Sequence, residues 1–508
     1  MHGIRTLAAL AVVVSAALVI VTAHAQQPAA PSAALRALVS DGELPGIDRG
    51  LRESATPSTA LVAQSLHDRI DGFMPAYLPD SLIVKFRPGT SPAALRSMLA
   101  LVDGTTTTRL PNADFDIVTT QPGIDPEAAA QRLAAQPDVE YAQARYIVHS
   151  RFVPNDPLYA RQWNFPVIEM ERAWDINPGA ASSIIVAVID TGVAYRGGTV
   201  RFSTTNLIAQ QVFPGRTSVD IPFAAAPELG GSARFVSPHD FIFNDDTPLD
   251  LVGHGTHVTG TIGQLTNNGV GVAGMAFNVS IMPVKVIGDL WDFVFAQATG
   301  TDDTVAQGVR YAVDNGAKVL NMSIGRLGPP SPVIQSAVTY AVSHGAFVAI
   351  AAGNEFMFGN PVERPADLGP QIEGVMTVGA IARNRQRAPY SNTGSYVEIV
   401  APGGDQIADG QTGGILQQTF DEDFVFPPIG PPRFDVFVYA YEQGTSMATA
   451  HVTGMAALLM QQGITDPAAI EAAIKRFATD LGPAGRDDQY GYGLINVRAA
   501  LRGMGLAR

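Results

Sequence analysis

Two hydrophobic rhythms divide the chain. From residue 79 to about 150 the period changes every few residues. Ser81-Leu-Ile-Val-Lys-Phe86 alternates like a half-buried strand and stops at Arg87-Pro-Gly89. Pro92–Val102 sets Leu95, Met98, Leu99 and Val102 on one helical face. Ala113–Thr119 reads as a strand, Asp125-Pro126 opens a helix to about Ala135 with proline at its first position, and Asp138–Tyr146 reads as a closing strand. One more strand near Thr105–Leu110 completes the order βαββαβ, a small ferredoxin-like α+β sandwich over residues 79–150.

Beyond Val153-Pro-Asn-Asp-Pro157 the rhythm changes. Ser183–Ile189 is nearly all apolar, as a parallel strand covered on both faces requires, and similar runs recur at Ile281–Ile287, Val319–Ser323, Ala346–Ala352 and Val375–Ala380. Helical stretches such as Asp303–Asn315 and Pro332–His344 lie between them. This alternation predicts an α/β domain over residues 152–508 with a doubly wound, mainly parallel sheet. Residues 404–443, with Pro427, Pro428, Pro431 and Pro432, carry little helical signal and read as a long surface excursion.

At the start, Leu7–Ala23 is an apolar run broken only by Ser15 and Thr22, preceded by Arg5 and followed by Ala23-His24-Ala25. That is the plan of a secretory signal peptide over residues 1–25, with an uncleaved anchor as the alternative. Residues 26–78, rich in Ala, Pro and Ser, read as a spacer with short helices at Leu35–Leu51 and Leu61–Phe73. The expectation is a secreted protein, extracellular or periplasmic, and free of the membrane once the leader is removed.

Composition narrows the chemistry. With 46% hydrophobic and 16% charged residues the 508-residue chain is globular rather than disordered. A net charge of −14 leaves no basic footprint for nucleic acid. The absence of cysteine excludes disulfides, thiolate nucleophiles and cysteine-ligated metals.

Four segments remain that carry reactive groups. Ala187-Val-Ile-Asp190-Thr-Gly-Val193 puts a carboxylate at the carboxyl end of a buried strand. Gly253-His254-Gly-Thr-His257-Val-Thr-Gly260 and Gly444-Thr-Ser446-Met-Ala-Thr-Ala-His451 put a histidine and a serine at the starts of helices. Ala351-Ala-Gly-Asn354-Glu355 follows another buried strand. Groups at the carboxyl ends of strands converge in an open α/β sheet. A serine hydroxyl needs a base to become a nucleophile, histidine is the base suited to neutral pH, a buried carboxylate fixes its tautomer, and an amide can donate to a developing oxyanion. Taken alone, each has a blander reading: a cap, a turn residue or, for His257 and His451, a core histidine. Their joint occurrence favours catalysis.

These motifs and their order resemble the subtilisin-like serine proteases (subtilases, peptidase family S8), over about residues 152–503, and the preceding unit resembles the family's inhibitory propeptide. The resemblance implies a serine endopeptidase acting on peptides and proteins, made as a self-processing zymogen and monomeric. Ser446 is then the nucleophile, His254 the general base and acid, Asp190 its orienting carboxylate, and Asn354 with the Ser446 N–H the oxyanion hole. Ser323 and Gly325 would pair with substrate backbone. Ala351, Ala352 and Gly353 would floor the pocket for the residue before the scissile bond, with room for a large apolar side chain. Cleavage of the propeptide is expected near His149–Val153, with Tyr146–Ser150 lying in the cleft as the first substrate. Structural Ca²⁺ is implied at Asp156, Asn268 and the carbonyls of Leu265, Val270 and Val272, and at a second loop through Asp240, Asp245 and Thr247.

Three departures accompany the resemblance. Ala450 stands where the family has proline, Phe243 replaces one acid of the second calcium loop, and Ala194–Gln211 holds no acid to complete the first site. The rival reading is a non-catalytic scaffold holding peptides in the same cleft. That all four catalytic positions are filled speaks against it.

Overall fold

The computed structural model describes residues 77–146, 152–205, 210, 213–289, 298–425 and 431–503. The leader, nearly all of the spacer and residues 147–151 of the expected processing window lie outside the described residues.

The N-terminal unit has the expected order: β1 (Tyr77–Phe86), α1 (Pro92–Ala100), β2 (Gly104–Arg109), β3 (Asp116–Thr120), α2 (Pro126–Ala134) and β4 (Val139–Tyr146). The strands form an antiparallel sheet in the order β2-β3-β1-β4. Both helices begin with a capped proline turn. The Ser91 hydroxyl accepts the Ala94 N–H at 3.2 Å, and the Asp125 carboxylate accepts the Glu127 N–H at 3.1 Å. Leu82, Val84 and Val118 of the sheet bury Met98 and Leu133 of the helices. Strand β1 starts at Tyr77, slightly before the boundary expected at residue 79.

The larger unit is built on a seven-stranded sheet. In chain order its strands are β5 (Ile185–Asp190), β8 (His239–Asp240), β9 (Ser280–Lys285), β10 (Val319–Met322), β11 (Phe347–Ala351), β12 (Val375–Ile381) and β13 (Ile399–Pro402). Between β5 and β8 the chain inserts an antiparallel hairpin, β6 (Gly198–Ser203) and β7 (Ser218–Phe223). The sheet order is β13-β12-β11-β10-β5-β9-β8, with every pair parallel. Strand β5 explains the unbroken apolar runs. Val186 and Val188 enter one core with α3 (His254–Gly263) and α6 (Thr445–Gln461), while Ala187 and Ile189 enter the other with α4 (Asp302–Asp314) and α5 (Pro332–Ser343). Helix α6 is buried from Thr445 to Met460 and packs across β10–β13, and Ala450 continues it without a break.

Within residues 404–443, part of the surface excursion expected from the sequence is a strand pair. β14 (Ile415–Phe420) pairs antiparallel with β15 (Phe437–Glu442), and every residue of β14 is buried. The strand signal is hidden by Gln417, Gln418 and Thr419, polar residues that find partners inside. Gln417 Nε2 donates to the Ala273 carbonyl at 3.0 Å, Gln418 Oε1 accepts the Glu228 N–H at 3.1 Å, and Thr419 Oγ1 donates to the Gly253 carbonyl at 3.0 Å.

Candidate active site

The adjacent strands β5, β10 and β11 end side by side, and their carboxyl ends deliver Asp190, Ser323 and Asn354. The starts of α3 and α6 bring His254 and Ser446 to the same edge, and the two helices pack against each other.

Asp250 registers α3 against β5. Its carboxylate is fully buried. Oδ1 accepts the Val252 and Gly253 N–H groups at 2.9 and 2.8 Å and the Thr191 hydroxyl at 2.9 Å. Oδ2 accepts the Thr256 N–H at 2.9 Å and its hydroxyl at 2.6 Å. Thr191 Oγ1 in turn accepts the Gly255 N–H at 2.9 Å. A negative charge at a helix start also complements the helix dipole. Gly253, at φ +105°, makes the turn that lets the chain enter α3 above Asp250.

His254 Nδ1 lies 2.7 Å from Asp190 Oδ1, which also accepts the Thr191 N–H at 2.7 Å. Asp190 is fully buried, and 18% of the His254 side chain meets solvent. Burial alone would lower the imidazole. Asp190, by charge and by hydrogen bond, together with Glu442 and Asp250, outweighs it and raises the ring to about 9. Glu442, the last residue of β15, is itself pushed up to about 8 by burial against the opposing pull of His254, although 31% of its side chain still meets solvent.

Ser446 Oγ donates to the Ser323 carbonyl at 3.3 Å, and Ser323 Oγ donates back to the Ser446 carbonyl at 2.9 Å. Among the described residues no hydrogen bond joins Ser446 to His254. Asn354 Oδ1 accepts both the N–H and the hydroxyl of Thr445, at 2.9 and 3.1 Å. Among the described residues the amide NH₂ makes no hydrogen bond, and it lies 3.8 Å from where a Cβ on Gly444 would stand.

The neighbouring histidines are structural. His257 Nε2 faces the Ile415 and Ala440 carbonyls at 3.0 and 3.3 Å, and burial lowers the ring to about 3. His451 bonds Asn164 and the Met447 carbonyl, both at 2.8 Å, and burial lowers it to about 4. Both rings are neutral at working pH.

The first calcium loop gains an acid that sequence reasoning missed. Asp156 accepts the Asn267 and Asn268 N–H groups at 2.7 and 3.3 Å. Beside it stands Glu228, delivered after the inserted hairpin. Its Oε2 accepts the Val272 N–H at 3.2 Å, while its Oε1 is buried without a partner among the described residues. Burial raises both carboxyls, Glu228 to about 7. No hydrogen bond among the described residues ends on the carbonyls of Leu265, Val270 or Val272. Two buried carboxylates, an orphaned oxygen and free carbonyls fit a hard cation such as Ca²⁺. The second loop fits one poorly. Asp240 Oδ1 accepts the Ile242 and Phe243 N–H groups at 2.7 and 2.9 Å, and Asp245 Oδ1 accepts the Thr247 N–H at 2.7 Å. Phe243, in place of an acid, packs on Phe202, and the Lys285 charge already supports Asp240.

Asp250, Glu228 and Glu442 carry no motif of their own. The only available signal was the position of Asp250 four residues before His254, where an acid can cap a helix start.

Comparison with known proteins gives the family. The subtilase family profile (Peptidase_S8) matches residues 181–493, and the fervidolysin N-terminal prodomain profile matches residues 74–144. The chain is 33% identical over 371 residues to a thermophilic serine proteinase of Bacillus sp. (strain AK1), covering 73% of this chain and 74% of that protein. It is 30% identical over 393 residues to an extracellular protease of Xanthomonas campestris pv. campestris, covering 74% of this chain and 61% of that protein. A solved protease of Pseudoalteromonas arctica PAMC 21717 superposes with a TM-score of 0.50 at 30% identity, over 69% of this chain and 99% of that one. The chain belongs to the subtilase family and is a subtilisin-like serine protease with an N-terminal prodomain.

Proposed function

We propose that the chain is a secreted, self-processing endopeptidase in which Ser446 attacks the peptide carbonyl, His254 takes and returns the proton, and Asp190 holds the imidazole. Asn354 Nδ2 and the Ser446 N–H receive the oxyanion. The 2.7 Å contact between Asp190 and His254 carries the reading, because it fixes the tautomer that presents Nε2 as a base. Ser446 forms an acyl ester, and His254 protonates the departing amine and then activates water for the second half. Ser323 and Gly325, continuing β10 beyond its last ladder bond, offer an edge that pairs with substrate main chain.

The prodomain is the first substrate and an inhibitor of the cleft. The extracellular relative and the apolar leader support export from the cell. Calcium, a structural ion here, would be held by Asp156, Glu228, Asn268 and the carbonyls of Leu265, Val270 and Val272.

The test is a pair of chains lacking the leader, wild type and Ser446→Ala, incubated with calcium and followed by intact mass, with a fluorophosphonate probe on the wild type. The wild type alone should shorten to an N-terminus within residues 149–153 and take up the probe at Ser446. A wild type that stays intact and unlabelled would sink the proposal.

A further inference from the structure

The substrate pocket beside Ser446 holds a carboxylate that the expected apolar preference leaves unexplained. The backbone of Arg326, which follows the substrate-pairing edge, exchanges two hydrogen bonds with Arg364, at 2.9 and 2.8 Å. This pairing lays Glu363 against the edge. A Cβ built on Gly325 would lie 2.9 Å from Glu363 Oε2, and one built on Gly353 would lie 2.7 Å from the same oxygen. Glu363 Oε2 therefore lies between Gly325 and Gly353, and the absence of a side chain at both positions leaves room for it.

Its surroundings lack a counter-charge. Glu355, the next carboxylate, accepts the Asn354 N–H at 2.8 Å and Asn392 Nδ2 at 3.2 Å, so its oxygen is engaged. Glu363 makes no hydrogen bond or ion pair from its carboxylate among the described residues. The guanidinium groups of Arg326 and Arg364 pair with Asp302 and Asp367. Burial, with the Glu355 charge adding, pushes Glu363 up to about 8.

The mature end supplies a second, independent observation. The Phe152 N–H donates to Asp175 Oδ1 at 2.8 Å, and the Phe152 ring packs on Trp174 and Phe277 with centroids 5.6 and 6.0 Å away. A free ammonium at that nitrogen would form an ion pair with the same carboxylate. Within residues 147–153 the one lysine or arginine is Arg151, immediately before it.

We infer that the pocket selects an arginine or lysine side chain through Glu363, and that the bond cut in maturation is Arg151–Phe152. This rests on the protease reading above. A cation entering the recess favours the ionised form of Glu363 and pairs with it, and a guanidinium does so with two hydrogen bonds. An apolar side chain of the same size leaves the carboxyl desolvated and without a hydrogen-bond partner. In the cleavage, the bond from the Arg151 carbonyl carbon to the Phe152 nitrogen breaks. Ser446 Oγ takes the acyl group, its proton passes through His254 to the Phe152 amine, and water then releases the Arg151 carboxylate.

The experiment uses the full chain without its leader, as wild type, Glu363→Gln and Glu363→Asp. The mature N-terminus is sequenced, and kcat/KM is measured on peptides differing only in the residue before the scissile bond: Arg, Lys, Gln or Phe. The expected result is an N-terminus at Phe152 and a preference for Arg and Lys over Gln and Phe on the order of 30-fold or more. Glu363→Gln should collapse that ratio and Glu363→Asp should keep most of it. A wild type that cuts after Phe as well as after Arg, a ratio unchanged in Glu363→Gln, or a mature end elsewhere would overturn the inference. Should Glu363→Gln fail to fold, the wild-type profile and N-terminus decide by themselves. Fluorophosphonate labelling separates the two levels. A labelled enzyme without basic preference sinks the role of Glu363 alone, whereas an unlabelled and inactive chain sinks the protease reading and this inference with it.

Discussion

The Thr445 N–H and hydroxyl both donate to Asn354 Oδ1, at 2.9 and 3.1 Å. This pair engages the oxygen end of the amide with the protein, and the proposed reading gives the NH₂ end to substrate. Asn354→Ala removes a donor needed only once the carbonyl oxygen becomes negative. We expect kcat to fall by about 10²–10³ with KM little changed. Steady-state kinetics on one peptide checks it, and a loss confined to KM would contradict it.

The pH profile follows from the charges around His254. The ring must be neutral to act as a base. Its folded-state value is raised to about 9, so kcat/KM should be lost as pH falls through a limb well above the ordinary histidine value. Glu442 titrates in the same range, which broadens the limb. Removing its charge in Glu442→Gln lowers the imidazole, and the limb should move down by roughly half a pH unit to one unit, since the side chain is partly exposed. An upward move would refute this sign.

Asp250 ties β5 to α3 through five hydrogen bonds. Asp250→Ala strands buried donors at the helix start, and a stability loss of about 3 kcal/mol or more is expected from denaturant titration. Activity should fall further than the folded fraction explains, because His254 is the first residue of the helix that Asp250 registers.

Calcium removal is expected to lower the melting temperature of the mature enzyme. The gain on adding Ca²⁺ back should grow with its concentration, as binding linkage requires. Glu228→Gln should weaken that response several-fold, whereas Asp245→Asn in the second loop should leave it nearly intact. Thermal melts with and without chelator measure both.

The motif residues were legible because each sits where backbone geometry leaves the sequence little choice: Asp190 at a strand end, His254 and Ser446 at helix starts. The parallel strands were legible for the same reason, since burial on both faces demands continuous apolar runs. What escaped was whatever depended on tertiary partners. Gln417 and Thr419 look like surface residues until the Ala273 and Gly253 carbonyls are found opposite them. Glu228 lies beyond an inserted hairpin, so spacing from Asp190 could not find it. Glu363 enters its pocket through backbone pairing between Arg326 and Arg364, a contact that no local pattern announces.

Helix α6, buried along nearly its whole length, has a consequence for how the enzyme ends its life. Ser446 stands on the central beam of the core, not on a loop that can open by itself. Amide protons of Met447–Met460 should therefore exchange with deuterium only when the whole domain unfolds. Inactivation by heat should then follow the global unfolding rate, and an enzyme surrounded by copies of itself would be lost all at once or not at all.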